Sequence, residues 1–147
     1  MRKLFVCAFA VGLICGAAMA DESEWISDFV KAKSAAVERK VPIFALFTGS
    51  DWCPWCKKLE SEILKSDEFK NYAKDNLALF VADFPRSIQQ PRELAEQNQE
   101  LAMKYGVEGF PTVVLLNGED GKEIARTGYR AIDAKAYVEH IRKLLKK

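Results

Sequence analysis

Four cysteines occur in the 147-residue chain, and two of them stand three apart in the run Trp52-Cys53-Pro54-Trp55-Cys56. Thiols at this spacing can cycle between dithiol and disulfide, hold a metal, or staple the fold. A staple here would close too short a loop to constrain the unfolded chain much. Structural zinc needs four ligands, and the chain offers no second pair: Cys7 and Cys15 fall in its first twenty residues. Its one histidine, His140, stands beside Glu139 and Arg142 and reads as a surface residue. Copper or another soft metal would want methionine or histidine close to Cys53, whereas Met103 belongs to a different element. Redox cycling is the favoured reading, with no metal at the site. A soft-metal delivery module and a non-catalytic redox-sensing interaction domain remain open as rivals.

The elements around the pair support that choice. Val41 to Phe47 is a short, continuous apolar run that suits a strand buried on both faces, and Thr48-Gly49-Ser50-Asp51 breaks it. Pro54 to Leu64 then reads as a helix, with Cys56, Leu59 and Ile63 on one stripe. Pro54 falls in the first turn, where its missing N–H costs nothing. Cys53 therefore opens the helix, where unpaired N–H groups and the macrodipole favour a thiolate. The thiolate is the nucleophile of disulfide exchange. Cys56, one turn on, is placed to attack a mixed disulfide formed at Cys53. Gly109-Phe110-Pro111-Thr112 is the second informative segment, because an X–Pro bond just before a buried strand is a site where the cis form occurs.

The remaining elements frame these two. Asp21 to Arg39 reads as a helix with Ile26, Phe29, Val30 and Val37 inward, and Trp25 goes either to the core or over a neighbouring strand. Ser66-Asp67 caps a short helix carrying Phe69 and Tyr72, and Leu77 to Phe84 is a second buried strand. Pro85 and Pro91 bracket a loop; Leu94, Leu101 and Tyr105 mark a helix stopped by Gly106. Thr112 to Leu116 is a third strand, turned through Asn117 to Gly121 into Lys122 to Arg126. Asp133 caps a last helix with Tyr137, Val138, Ile141, Leu144 and Leu145 inward. The order is α, β, α, short α, β, α, β, β, α, which calls for one α/β domain with a mixed sheet.

Residues 1–20 differ from the rest. Arg2 and Lys3 precede an apolar run from Leu4 to Ile14, and Ala18 and Ala20 supply the small residues of a cleavage site. This is the pattern of a secretory signal, too short for a membrane anchor. Ile14 stands where a lipoprotein would carry a small residue before Cys15. The expected division is a signal over 1–20 and a domain over 21–147, exported to the periplasm or secreted. Twenty-two basic and twenty-one acidic residues give the whole chain a charge of +1, and loss of Arg2 and Lys3 makes it −1. No basic excess exists to draw nucleic acid.

Taken together, Trp52-Cys53-Pro54-Trp55-Cys56 after a strand, Phe110-Pro111-Thr112 before one, and Gly128 after the hairpin resemble the thioredoxin superfamily. The segment from Thr48 to Cys53 is most similar to exported bacterial thioredoxin-like proteins. The resemblance implies a thioredoxin fold of four to five strands with helices on both faces. It further implies that Cys53 is the exposed nucleophile and Cys56 the resolving thiol. Pro111 would be a cis-proline holding substrate backbone, with Trp52, Pro54, Trp55 and Phe110 bordering the site. Substrates would be protein thiols or disulfides, with a partner recharging the pair, no cofactor, and a monomer without stable membrane anchor. Three departures stand out. Pro54-Trp55 resembles the glutaredoxin arrangement rather than thioredoxin's. Phe47 stands where thioredoxins bury an aspartate, and an apolar residue near Leu79 where they place its lysine. Pro85 to Gln99 looks inserted. Glu60, one turn beyond Cys56, is a candidate substitute proton carrier or a solvated side chain. Asp51, Lys57 and Lys58 are expected to face solvent. With no carboxylate at Phe47 to oppose a thiolate, the pair is expected to be more acidic and more oxidising than thioredoxin's, which has a potential of about −270 mV.

Overall fold

The computed structural model describes residues 25–146; the expected signal at 1–20 lies outside them. Helix α1 spans Phe29–Arg39, strand β1 Ile43–Thr48, helix α2 Pro54–Leu59 and helix α3 Asp67–Asn76. Strand β2 is Ala78–Asp83, helix α4 Arg92–Lys104, strands β3 and β4 Thr112–Leu116 and Glu123–Thr127, and helix α5 Ala134–Leu145. The sheet order is β2-β1-β3-β4, with β1 parallel to β2 and the other pairs antiparallel. This is the mixed sheet the element order calls for.

The apolar runs of β1 and β3 serve both faces of that sheet. Ile43, Ala45, Phe47, Val114 and Leu116 pack with α1 and α4, while Phe44, Leu46, Val113 and Leu115 pack with α2, α3 and α5. Local chemistry starts and stops the helices as expected. Ser66 and Asp133 accept from the N–H groups of Phe69 and Ala136. Gly106, at φ +58°, ends α4 while Val107 N–H donates to Ala102 O at 2.9 Å. Buried hydroxyls have partners: Tyr105 donates to Gly121 O and Tyr137 to Gly128 O.

Two expectations need correction. The first helix starts at Phe29, not in the low twenties, because the Asp28 carboxylate caps it through Lys31 N–H. Ile26 instead forms a parallel bridge to Phe80 of β2, and half-buried Trp25 sits edge-on to Phe44. The buried stripe of α1 is Ala32 and Ala36, and Val30 is 73% exposed. At Ala36 a small residue is needed because the end of α1 runs close to the β3–β4 turn. A Cβ on Gly118 would lie 2.5 Å from Val41 O and 3.1 Å from Ala36 Cβ. Secondly, the helix expected over Pro54–Leu64 changes pitch: after Leu59 it continues as a π turn, Glu60–Leu64. The segment from Pro85 to Gln99 divides as the prolines suggest, into a loop up to Pro91 and the first turns of α4 from Arg92.

Gly118→Ala should therefore destabilise the protein by about 1–3 kcal/mol through overpacking, read as a lowered urea midpoint. Gly109→Ala, whose Cβ would meet nothing within 4 Å, should change the midpoint little.

Candidate functional site

The chain leaves β1 at Thr48 and turns at Gly49, whose carbonyl accepts from Trp52 N–H at 3.3 Å and Cys53 N–H at 2.9 Å. The turn demands glycine, because a Cβ at position 49 would fall inside the Trp52 indole. Cys53 then caps α2, its Sγ accepting from Cys56 N–H at 3.2 Å. That N–H points at the sulfur that would carry negative charge in the reduced protein. The two cysteines form a disulfide, with Cα atoms 5.2 Å apart, inside the usual range. Across from them the Phe110–Pro111 peptide is cis, as the sequence suggested, and Phe110 O lies 3.7 Å from Cys53 Sγ. Gly128 lies directly against Pro111, where a Cβ would sit 2.9 Å from Pro111 O.

Both cysteines are buried, Cys53 to 3% exposure and Cys56 to 4%. Exposure does not separate their roles; surroundings do. Cys53 faces the Phe110 carbonyl, whereas Cys56 Sγ accepts from Gly49 N–H at 3.5 Å and lines a separate surface groove of about 870 Å³. Leu46, Thr48, Glu60 and Asp83 line the same groove. Phe47 does not: it points into the other layer, 6.5 Å from the Tyr105 ring. The alternation of β1 puts Leu46 and Thr48, not Phe47, on the Cys56 side. Any effect of Phe47 on the cysteines therefore lapses, and with it one argument for a more oxidising pair. Leu79 is apolar and buried on the Cys56 layer, as expected. Glu60 is half-buried and pairs with Lys65 at 2.8 Å.

An aromatic rim surrounds the pair. Trp52 Nε1–H donates to Phe84 O at 2.8 Å, its ring meets Phe110 edge-on at 5.9 Å, and Phe110 lies 4.9 Å from Phe84. Trp55, 56% exposed, lies tilted over Tyr129 at 5.5 Å, and Lys58 Nζ is 5.3 Å from its ring centre. The Tyr129 hydroxyl donates to Glu62 at 2.6 Å, a bond that holds its pKa above the usual phenol value. Pro54 is exposed beside Trp55. His140 is half-buried, paired with Thr127 Oγ1 at 2.9 Å rather than facing water, and desolvation lowers its pKa.

Asp51 also departs from expectation. Its carboxylate accepts from the N–H groups of Ser87 (2.6 Å) and Arg86 (3.0 Å), and these bonds, Ser87 foremost, hold its pKa below the ordinary value. Asp83 binds back, accepting from Ser50 N–H at 2.9 Å and Ser50 Oγ at 2.6 Å. The cysteine turn and the β2–α4 loop are thus laced together. Sequence reading missed Arg86, Phe84 and Tyr129. Only Tyr129 had a signal, as the residue after Gly128.

The thioredoxin-like domain family matches residues 29–144. The chain belongs to this family. It is 41% identical over 123 residues to the disulfide bond reductase DsbH of Chlamydia pneumoniae, covering 84% of this chain and 73% of that protein. A solved structure titled DsbH Oxidoreductase matches with TM-score 0.79 at 39% identity, covering 84% of each chain. A thioredoxin from Thermus thermophilus matches in fold, with TM-score 0.62 at 18% identity, covering 84% of this chain and 88% of that one. The resemblance to the thioredoxin superfamily holds, and the chain is a protein thiol–disulfide oxidoreductase.

Asp51→Ala should release the β2–α4 loop. Amide hydrogen exchange at Arg86 and Ser87 is expected to speed up at least about tenfold, the scale of one lost charge-assisted bond. Because Asp51 is depressed in the folded protein, its anchoring is complete above the unfolded carboxylate value. It is lost as pH falls through the lowered one.

Proposed function

We propose that the protein reduces disulfides in other proteins outside the cytoplasm, with Cys53 as nucleophile and Cys56 as resolving thiol. The observation that carries the assignment of roles is the asymmetry of the pair. Cys53 caps the helix beside the Phe110 carbonyl and the aromatic rim, while Cys56 lies one turn further on, under the Gly49 N–H and away from that rim.

The exchange follows. The Cys53 thiolate attacks one sulfur of a substrate disulfide; the other sulfur leaves as a thiolate and takes a proton from solvent. The Cys56 thiolate then attacks Cys53 Sγ and expels the second substrate thiolate. Two electrons have passed to the substrate, and the Cys53–Cys56 disulfide remains. A partner dithiol must reduce it again. Pro111 and Phe110 hold the substrate backbone, with Trp52, Pro54 and Trp55 bordering the attacked sulfur. Support for the reductive direction comes from the name of the Chlamydia relative. Support for export comes from the charged, apolar and small-residue pattern of residues 1–20. Mass spectrometry of exported material should find Asp21 as its first residue. The working unit is a monomer without stable membrane attachment.

Cys53→Ser should abolish disulfide reduction, and Cys56→Ser should accumulate a mixed disulfide with substrate on a non-reducing gel. Faster alkylation of Cys56 than of Cys53 in the reduced protein would reverse the roles. Equilibration with glutathione fixes the direction. A reductase should have a potential near thioredoxin's, about −270 mV, whereas a value near the strong oxidant's, about −120 mV, would make the protein an oxidase.

A further inference from the structure

Arg86 stands out among the charged residues near the cysteines. Its guanidinium carbon lies 3.7 Å from the centre of the Trp52 ring. That ring abuts Phe110, whose carbonyl is 3.7 Å from Cys53 Sγ. Stacking of this kind fixes a guanidinium without consuming its hydrogen-bond donors, because the ring supplies only a π face. The backbone beneath Arg86 is fixed as well, by the Asp51 carboxylate and by Trp52 Nε1–H on Phe84 O. Among the described residues no carboxylate lies within ion-pair distance of Arg86.

The charges around Arg86 are of both signs, and most are already turned to groups of the protein itself. The carboxylate of Asp51 is occupied by two backbone N–H groups, and that of Glu62 by the Tyr129 hydroxyl. Lys57 and Lys58 follow the cysteine motif, Lys57 Nζ donating to the Asp51 carbonyl at 3.0 Å and Lys58 over Trp55. Beside these groups of both signs, Arg86 presents guanidinium donors that no carboxylate among the described residues takes up, and a carboxylate on an approaching chain finds its partner there.

From this the geometry points to Arg86 as a specificity residue that receives the carboxylate of an Asp or Glu flanking the attacked cysteine in the protein substrate. The inference rests on the reductase reading and adds to it the kind of sequence the site prefers. Arg86 belongs to the β2–α4 loop, so that loop reads substrate while the Cys53 turn does the chemistry. A planar guanidinium held over the indole keeps its N–H fork for a carboxylate, a geometry that a lysine ammonium does not reproduce.

Three synthetic peptides test this, identical except for Glu, Gln or Lys on both sides of a single cysteine capped as a mixed disulfide with 2-mercaptoethanol. Their reduction by the dithiol form of the full protein is followed as kcat/KM. The wild type should favour the Glu over the Gln peptide by about fivefold at low salt, the scale of one exposed ion pair. The Lys peptide should be slowest, and the preference should shrink at about 0.5 M salt, where the screening length is only a few ångströms. Arg86→Gln should bring the Glu to Gln ratio to about one, and Arg86→Lys should retain part of it. Because each ratio is internal to one variant, partial loss of folded protein does not affect it. No preference in the wild type, or the same preference in Arg86→Gln, overturns the assignment while leaving the reductase reading intact. Failure of the wild type to reduce any of the three peptides overturns both.

Discussion

Everything at this site depends on the register of one strand. β1 is buried along its whole length and paired on both edges, so its alignment with its neighbours is held by the core on two faces. In the parallel ladder Thr48 lies opposite Asp83, and in the antiparallel ladder Phe47 lies opposite Thr112. The end of β1, the end of β2 and the start of β3 therefore fall at one edge of the sheet. The Cys53 turn, the β2–α4 loop and Pro111 meet because each is the next piece of chain beyond that edge. A slip of one residue would turn Leu46 and Thr48 away from Cys56 and bring Phe47 under it.

Upon that scaffold a small number of polar bonds set the finer placement. Asp51 and Asp83 each reach across to the other's segment, one accepting from the Arg86 and Ser87 amides and the other from Ser50. The aromatic rings then lie on segments that are already tied. Trp52 is held at its nitrogen by Phe84 O and meets Phe110 edge-on, which leaves a face for Arg86. A loop held in this way presents side chains with little further entropy to lose on binding.

Much of this was legible in the residues. The cap positions Cys53, Ser66 and Asp133, the stop at Gly106, and the proline before β3 each depend on chemistry within a few residues, which a sequence displays directly. What failed depended on distant partners. A continuous apolar run such as Ile43 to Phe47 does not say which side chains face which layer, so Phe47 was set beside Cys56 when it packs against Tyr105. On α1, Val30 and Val37 look like core by type, yet Ala32 and Ala36 are the residues buried, and at Ala36 the close approach of Gly118 leaves no room for a larger side chain. The tie between Asp51 and Arg86 spans 35 positions, and no local pattern announces it.

The bridge between Ile26 and Phe80 has a consequence for how the molecule behaves in a crowded solution. Ile26 N–H donates to Leu79 O and Val81 N–H donates to Ile26 O, so part of the outer flank of β2 is covered by the protein's own chain. The opposite flank is β4, only five residues long, irregular in register at Leu115/Leu116 and carrying the Glu123–Arg126 ion pair. Short, charged and uneven strands make poor templates for another chain. A thiol–disulfide oxidoreductase built in this way gives other chains little backbone on which to add a strand, and leaves its cysteines and the rings around them as the part to be engaged.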